Sequence, residues 1–208
     1  MSDETPEASR PLPSDLPAVS RLAAGNALRD RLKDKAGLGP ISDAAASFLY
    51  DFFDADESAV SLLKGEWFRT LVTVRAATPG QLQHPDGDTY SVKQYPNVAR
   101  LLTSGSGYVA SIGNDGGVPE SQDFLRRYRM TTCIGAPITY GGDVVGEVFV
   151  SRVAGRSHYT GRELAGVLDL ARQIGYRMGP AVKAMDANDA SWWPNDTSAS
   201  EIGELGDH

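Results

Sequence analysis

The most reactive side chain in the sequence is the thiol of Cys133, the only cysteine in the chain. Arg126, Arg127 and Arg129 precede it closely, and nearby positive charge lowers the pKa of a thiol and favours its reactive thiolate form. Cys133 is therefore a candidate single-cysteine redox sensor. The alternative is a small apolar core residue, because free cysteine is among the most buried residue types and Cys133 lies in a predicted strand.

Groups that enzymes use for catalysis or metal binding do not assemble in this sequence. His158 has no His, Asp or Glu partner at metal-ligand spacing, and there is no G-x-S-x-G nucleophile motif. Gly105-Ser-Gly-Tyr-Val-Ala matches a G-x-G-x-x-A fingerprint. It precedes a predicted strand, however, whereas a dinucleotide-binding loop follows a strand and opens a helix. We therefore expect a non-enzymatic protein with no catalytic residues and no metal.

Composition and charge exclude several classes of protein. The 208 residues are 41% hydrophobic and 23% charged, as in globular domains. The net charge is −7, of which residues 1–20 contribute −3 and residues 185–208 contribute −6, leaving +2 for residues 21–184. Because residues 21–184 are nearly neutral, they lack the clustered basic surface that nucleic-acid binding requires. One cysteine forms no internal disulfide, and neither a signal peptide nor a membrane span is apparent. We expect a cytoplasmic protein with no nucleic-acid or membrane partner.

The two ends of the chain are predicted to be disordered tails. Residues 1–20 are rich in proline, serine and acids, and residues 185–208 are acidic and turn-rich; such compositions bury too little apolar surface to fold. Trp192-Trp193 stands out in the second tail, because exposed aromatic pairs either dock on their own domain or contact a partner. Residues 21–39 contain a short amphipathic helix that ends near Gly37.

The main domain, residues 40–184, alternates helix and hairpin signals. Hydrophobic spacing predicts a helix starting at Ser42 or Asp43, a hairpin of strands 58–64 and 67–74, a helical stretch 97–102, a strand 108–112, a helix 121–128, a hairpin of strands 131–140 and 143–152 around Gly141-Gly142, and a long helix 161–183. Thr160 and Glu163 form a capping-box signature before the long helix. This order indicates an α+β fold with an antiparallel sheet between helices.

Three segments of the second half resemble the GAF domain family. They are Ile134-Gly-Ala-Pro-Ile-Thr-Tyr-Gly-Gly-Asp-Val-Val-Gly-Glu-Val-Phe-Val, Tyr159-Thr-Gly-Arg-Glu-Leu and Leu170-Ala-Arg-Gln-Ile-Gly. In that family a strand ending in a Pro-Ile turn, a glycine hairpin, a capped helix start and a long helix follow in this order. The resemblance covers about residues 40–184 and implies a GAF/PAS-like fold. It does not identify a ligand, because similar GAF domains sense cyclic nucleotides, tetrapyrroles, haem, small metabolites or nothing.

Motifs of particular GAF branches are incomplete here. The cyclic-nucleotide signature is matched only in part, by Ser151-Arg152, Tyr159 and Arg162-Glu163. Free methionine sulfoxide reductases of the family need more than one cysteine. Bilin or haem attachment in the family uses a Cys or His in the connector between the two hairpins, and residues 75–130 contain only His84. The resemblance supports no metal, haem or bilin cofactor, and the ligand stays unknown.

The resemblance implies a regulatory, sensory role in signal transduction. Such a stand-alone domain would bind a small molecule or a partner protein and relay the change through its terminal helices, which in this family often pack into a dimeric bundle; we therefore expect a homodimer. The family's geometry, with the connector over the sheet, suggests these candidate ligand-binding residues: Tyr95, Tyr108, Asp115, Arg126, Cys133 and Phe149. One alternative is a ligand-free interaction scaffold whose pocket is filled by its own side chains, such as Phe124 and Phe149. The other is the Cys133 redox sensor.

Overall fold

A computed structural model describes residues 18–75 and 89–185. Within these ranges the chain forms five α-helices and six strands. Their bounds are α1 Ala18–Leu32, α2 Leu38–Phe52, β1 Glu57–Lys64, β2 Trp67–Arg75, β3 Thr89–Ser91, α3 Pro96–Thr103, β4 Tyr108–Ser111, α4 Ser121–Arg127, β5 Met130–Tyr140, β6 Asp143–Val153 and α5 Gly161–Ala184, with a 3₁₀ turn at Val92–Gln94 between β3 and α3. The predicted α+β order is confirmed.

The six strands form one antiparallel sheet in the order β3-β2-β1-β6-β5-β4. Both predicted hairpins are present, β1–β2 and β5–β6, and the second turns at Gly141 and Gly142 with φ of 61° and 89°. Positive φ is costly for residues with a Cβ, which is why a glycine pair marks this turn. The hairpins join through the β1–β6 ladder, so β1 and β6 form the centre of the sheet.

The two faces of the sheet carry different cores. On the face we call the helix face, α1, α2 and α5 pack over Val60, Ile134, Ile138, Val148 and Val150 in the larger cluster of buried residues. The opposite face, the connector face, is covered by residues 89–129, the described part of the chain between β2 and β5. Its smaller cluster consists of Phe68, Val98, Leu102, Tyr108, Ala110, Val118, Leu125, Met130 and Cys133. The sheet therefore lies between helices, as the sequence predicts.

The start of α5 is held by a capping box and a buried ion pair. The Thr160 hydroxyl accepts a hydrogen bond from the Glu163 amide, and the Glu163 carboxylate accepts one from the Thr160 amide, as the sequence signature predicts. The second carboxylate oxygen of Glu163 lies 3.1 Å from the Arg152 guanidinium, with both side chains 3% exposed. Arg152 also donates to the carbonyl of Phe53 at 2.6 Å, just after α2. One arginine of β6 thus fastens together the C-terminus of α2 and the N-terminus of α5.

Helix boundaries differ from the expected ones near the N-terminus. Helix α1 spans Ala18–Leu32, earlier at both ends than the expected amphipathic segment, and α2 already begins at Leu38. Pro40 is accommodated because the first turn of a helix needs no backbone N–H donor. Among residues 18–75 and 89–185, none of the helices is both long enough and apolar enough to cross a membrane. Most of the predicted disordered tails, residues 1–20 and 185–208 with Trp192-Trp193, lies outside the described ranges, as does His84, whereas residues 18–20 belong to α1.

Candidate functional site

The connector face contains a buried carboxyl group at the centre of the sheet. Glu147 of β6 is 3% exposed. The Tyr90 hydroxyl of β3 donates to its Oε2 at 2.9 Å, and the Tyr108 hydroxyl of β4 approaches its Oε1 at 3.4 Å. Burial raises the pKa of Glu147 to about 7, against the lowering effect of the two tyrosine hydrogen bonds. The group can therefore gain or lose a proton near neutral pH.

This Glu147–Tyr90–Tyr108 network connects the two edges of the sheet. Tyr90 lies on edge strand β3 and Tyr108 on edge strand β4, while Glu147 lies on a central strand. Tyr90 stacks on Phe68 with ring centroids 5.1 Å apart. Gly135 provides the space for Tyr108, because a Cβ at that position would overlap the tyrosine ring. The two edge strands, which flank α3 of the connector, are thus joined to the centre of the sheet by a polar contact on the connector face.

A second buried acid lies on the same face. Glu57 of β1 is 1% exposed and pairs in register with Arg75 of β2 and Ser151 of β6. Ser151 is in turn opposite Cys133, a member of the connector-face core, so all four side chains share that face. Burial raises the pKa of Glu57 to about 7, while the positive charge of Arg75 acts in the opposite direction. The connector face therefore holds two carboxyl groups that titrate near neutral pH.

Four of the six predicted ligand-binding residues come together on the connector face. Tyr108 and Cys133 belong to its buried core, and Tyr95 and Phe149 pack against that core half-buried. Tyr95 contacts Tyr90 edge-on at 5.6 Å between centroids, and Phe149 contacts Phe124 of α4 edge-on at 5.5 Å. These residues lie on both sides of the interface between the connector and the sheet. Their role in binding a ligand stays a prediction.

The other two predicted residues lie apart from this group. Arg126 is exposed on α4 and forms an ion pair with Asp123, one turn away, at 2.9 Å. It therefore occupies the solvated face of its helix, rather than pointing into the interface. Asp115 is in the loop between β4 and α4, where its carboxylate accepts a hydrogen bond from the Gly117 amide at 2.8 Å. This contact stabilises the loop.

The environment of Cys133 does not favour a reactive thiolate. The residue is 1% exposed, and burial together with the negative charge of Glu147 raises the pKa of its thiol well above the ordinary range. A protonated, buried thiol reacts slowly. The arginines that precede Cys133 in sequence are not near enough to reverse this, since Arg126, Arg127 and Arg129 are all exposed.

Sequence reasoning missed both acids and Tyr90. The segment Val144–Val150 is nearly continuous in apolar residues, and Glu147 is the one charged residue inside it. A charged residue in the middle of a central strand has to be paired or protonated, so this exception was a usable signal. Glu57 is the first residue of β1, where charged residues are common, and Tyr90 lies in a strand of three residues, so neither offers a comparable signal.

The surface near α1 and α5 contains two cavities and two exposed apolar side chains. A cavity of about 460 Å³ opens between α1 and α5, lined by Arg21, Leu22, Gly25, Asn26, Arg29, Asp169, Arg172 and Gln173. A second cavity of about 290 Å³ adjoins it through Arg172 and includes Tyr176. Leu22 is 67% exposed and Tyr176 is 74% exposed. We call this surface, defined by Leu22, Arg172 and Tyr176, the terminal-helix surface.

No catalytic arrangement is found in the part of the chain that the structure describes. In residues 18–75 and 89–185, no three His, Cys, Asp or Glu side chains come together in a way that could hold a metal ion. These ranges contain one histidine, His158, and one cysteine, Cys133, which is buried and protonated. The candidate nucleophile therefore lacks the activation that covalent catalysis requires.

Comparison with sequence families identifies the domain. The GAF domain model matches residues 38–178, which include α2, the sheet and most of α5. A search of the curated proteins found no match.

Solved structures with the same fold include several sensory domains. The chromophore-binding domain of an unusual bacteriophytochrome from R. palustris aligns with a TM-score of 0.64 at 14% identity, over 81% of this chain and 64% of that chain. The phycocyanobilin-bound GAF domain of a cyanobacterial phytochrome aligns with a TM-score of 0.64 at 12% identity, over 80% of this chain and 98% of that one. The GAF domain of an Acinetobacter phosphoenolpyruvate-protein phosphotransferase gives 0.61 at 12% identity, over 82% and 99%. At these identities the likeness shows the fold alone.

Proposed function

The chain belongs to the GAF domain family, and from this premise we propose that it is a non-enzymatic sensory protein. It binds a small molecule between the connector and the sheet and passes the change to its terminal helices, α1 and α5. The observation that carries this proposal is the buried Glu147 carboxyl group, held by hydroxyls from both edges of the sheet. A buried, proton-binding group that joins both edge strands to a central strand is typical of a binding site, where perturbed pKa values concentrate.

Strand β6 provides the path from the connector face to the terminal helices. Glu147 and Phe149 point to the connector face, whereas Val148 and Val150 point to the helix face and pack in the same core as α5. Arg152, two residues further on, holds the first turn of α5. A ligand that moved β6 by a few tenths of an ångström would act on α5 directly, because packed cores do not absorb such shifts.

The output we propose is a change in self-association through the terminal-helix surface. Leu22 and Tyr176 expose large apolar groups on adjacent helices, and contiguous apolar exposure marks interaction surfaces. A second copy of the chain is the occupant we favour, because parallel α1 and α5 helices from two copies would complete a four-helix bundle. Sedimentation of the full-length protein tests this. Leu22→Asp is expected to weaken association, and Ile112→Asp, at an exposed apolar residue in the loop after β4, is the matched control.

Native mass spectrometry of the purified full-length protein tests the ligand. A bound mass that disappears on denaturation would support small-molecule sensing and would give the mass of the ligand. The same spectrum gives the number of subunits. A monomer by both methods, with Leu22→Asp sedimenting as the wild type does, would contradict relay through the terminal helices.

A ligand-free interaction scaffold is the second candidate. Its support is the edge-on contact between Phe124 and Phe149, which places two aromatic rings where a ligand would otherwise lie. Replacing Phe124 by Ala distinguishes the candidates. A scaffold loses stability as a cavity opens, and because Phe124 is half-buried the loss should stay below that of a fully buried phenylalanine, about 3–5 kcal/mol. In a sensor Phe124 belongs to a cover that moves to admit the ligand, so the same variant changes ligand affinity with a smaller cost in stability.

A further inference from the structure

Three side-chain oxygens buried on the connector face make no hydrogen bond to any residue in the ranges 18–75 and 89–185. They are Oε2 of Glu57, Oγ of Ser151 and Oγ1 of Thr73, and they come from three adjacent strands, β1, β6 and β2. Glu57 is opposite Ser151 in the β1–β6 ladder, and Thr73 is two residues before Arg75, which is opposite Glu57 in the β1–β2 ladder. Opposite side chains have Cβ atoms about 5 Å apart. Glu57 and Ser151 are therefore neighbours and form what we call the acceptor patch, whereas Thr73, opposite Ala59, lies diagonally from Glu57 at about 7–8 Å.

Buried polar atoms in folded proteins are nearly always hydrogen-bonded, so two adjacent unpartnered oxygens indicate a partner that the described residues do not supply. Both oxygens accept hydrogen bonds, and an ionised Glu57 carboxylate can only accept them. A partner with more than one N–H donor would satisfy both. The acceptor patch thus has the chemistry of a binding site for a donor-rich group.

The charges of the surrounding residues favour a cation as that partner. The carboxyl groups on this face are Glu57 and Glu147, and the positively charged Arg75 lies half-buried at the end of its strand. Phe149 is between Glu147 and Ser151 on the same face of β6 and is half-buried. Aromatic rings attract organic cations. An anionic ligand such as a phosphate would instead face two acids, which disfavours it.

We propose that the acceptor patch binds an organic cation with N–H donors, an ammonium or amidinium group, with Glu57 as the charged anchor and the neighbouring Ser151 as a neutral acceptor. This inference rests on the proposed small-molecule sensing and specifies the chemical class of the ligand. Binding places a positive charge beside Glu57 and fixes that carboxyl group in its ionised form. The unfavourable burial of the acid is thereby offset only in the bound state, which makes the site responsive to its ligand.

Three probes of the same shape and different charge test the proposal: benzamidinium, benzamide and benzoate. Calorimetric titration of the full-length protein is expected to show binding of benzamidinium, weaker binding of neutral benzamide and none of benzoate. Butylammonium serves as a slimmer cation. Glu57→Gln keeps the shape of the side chain and removes its charge. We expect it to weaken cation binding by about 10- to 100-fold, the value of one hydrogen bond to a charged group.

Two serine variants provide a matched pair. Ser151→Ala removes an oxygen of the acceptor patch and should weaken cation binding several-fold. Ser58, the neighbour of Glu57 in β1, also has a buried unpartnered hydroxyl. Its strand partners Val74 and Val150 belong to the helix-face core, so Ser58 points away from the patch. Ser58→Ala should leave cation affinity unchanged, and thermal unfolding of each variant verifies that it is folded.

The outcomes separate this inference from the broader proposal. Binding of benzamide or benzoate as strong as that of benzamidinium would overturn the cation site and leave small-molecule sensing intact. Cation binding that Glu57→Gln and Ser151→Ala leave unchanged would place the ligand elsewhere. No binding of either cation at millimolar concentration would overturn the inference, whereas a different bound mass in the native spectrum would still support the sensor.

Discussion

Stability should fall as the pH rises from about 5 to about 8, and Glu147→Gln should remove about half of that loss. Burial raises the pKa of Glu147 and of Glu57 from 4.5 to about 7. A carboxyl group with a raised pKa holds its proton more tightly in the folded state than in the unfolded state. The free energy of unfolding therefore declines between these two pKa values and is level above the higher one. At 1.36 kcal/mol per pKa unit, each acid costs about 3 kcal/mol once it is ionised.

Urea unfolding of the full-length protein at about pH 5 and about pH 8 measures this effect. The difference in unfolding free energy between the two pH values should be about 3 kcal/mol smaller in Glu147→Gln than in the wild type, since the glutamine amide does not titrate and its oxygen still accepts from Tyr90. Glu66→Gln, in the exposed turn between β1 and β2, removes a carboxylate without burial and should match the wild type. If Glu147→Gln keeps the full pH dependence, Glu147 ionises normally in the folded state and the reasoning fails.

Three further predictions concern packing. Arg152→Met should destabilise the protein by about 3–5 kcal/mol in urea unfolding, because it leaves the buried Glu163 carboxylate unpaired. Arg156→Met, at a half-exposed ion pair, should cost about 1 kcal/mol or less. Equal losses in the two variants would contradict this prediction. Gly175→Ala should lower the free energy of unfolding by about 1–3 kcal/mol, because the added Cβ would overlap the Thr139 carbonyl oxygen. Gly161→Ala places its Cβ in open space and should leave stability unchanged. Thermal unfolding compares the two variants. Cys133 should react with a disulfide reagent near pH 8 only as fast as the protein opens, and rapid labelling of the native protein would disprove its burial.

The parts of the fold that sequence predicted are those set by local signals. Gly141-Gly142 fixes the β5–β6 turn through its positive φ values, and Thr160 with Glu163 fixes the start of α5. Each signal involves residues within one turn of the chain, so a single sequence contains it completely. The boundaries of α1 were less accurate, because a helix end without a strong cap is set by what it packs against.

The candidate site was predicted less well because its contacts are distant in sequence. Glu147 meets hydroxyls 39 and 57 residues away in the chain, and nothing in the local pattern of β6 indicates either partner. Arg126 shows that sequence position alone does not give the direction of a side chain. On α4 it lies one turn from Asp123 and pairs with it in solvent.

The alternation of side chains along β6 explains how one strand can serve both faces. Successive residues of a strand point to opposite sides, so the odd-numbered Glu147 and Ser151 reach the connector face while the even-numbered Val148, Val150 and Arg152 reach the helices. A one-residue slip of β6 would exchange the two sets and turn Glu147 and Ser151 toward the helices. The register is held against that slip by ladders on both sides, to β1 and β5. In the relay that we propose, a change at Glu147 would therefore displace the whole strand, and Arg152 is the residue that would pass the displacement to α5.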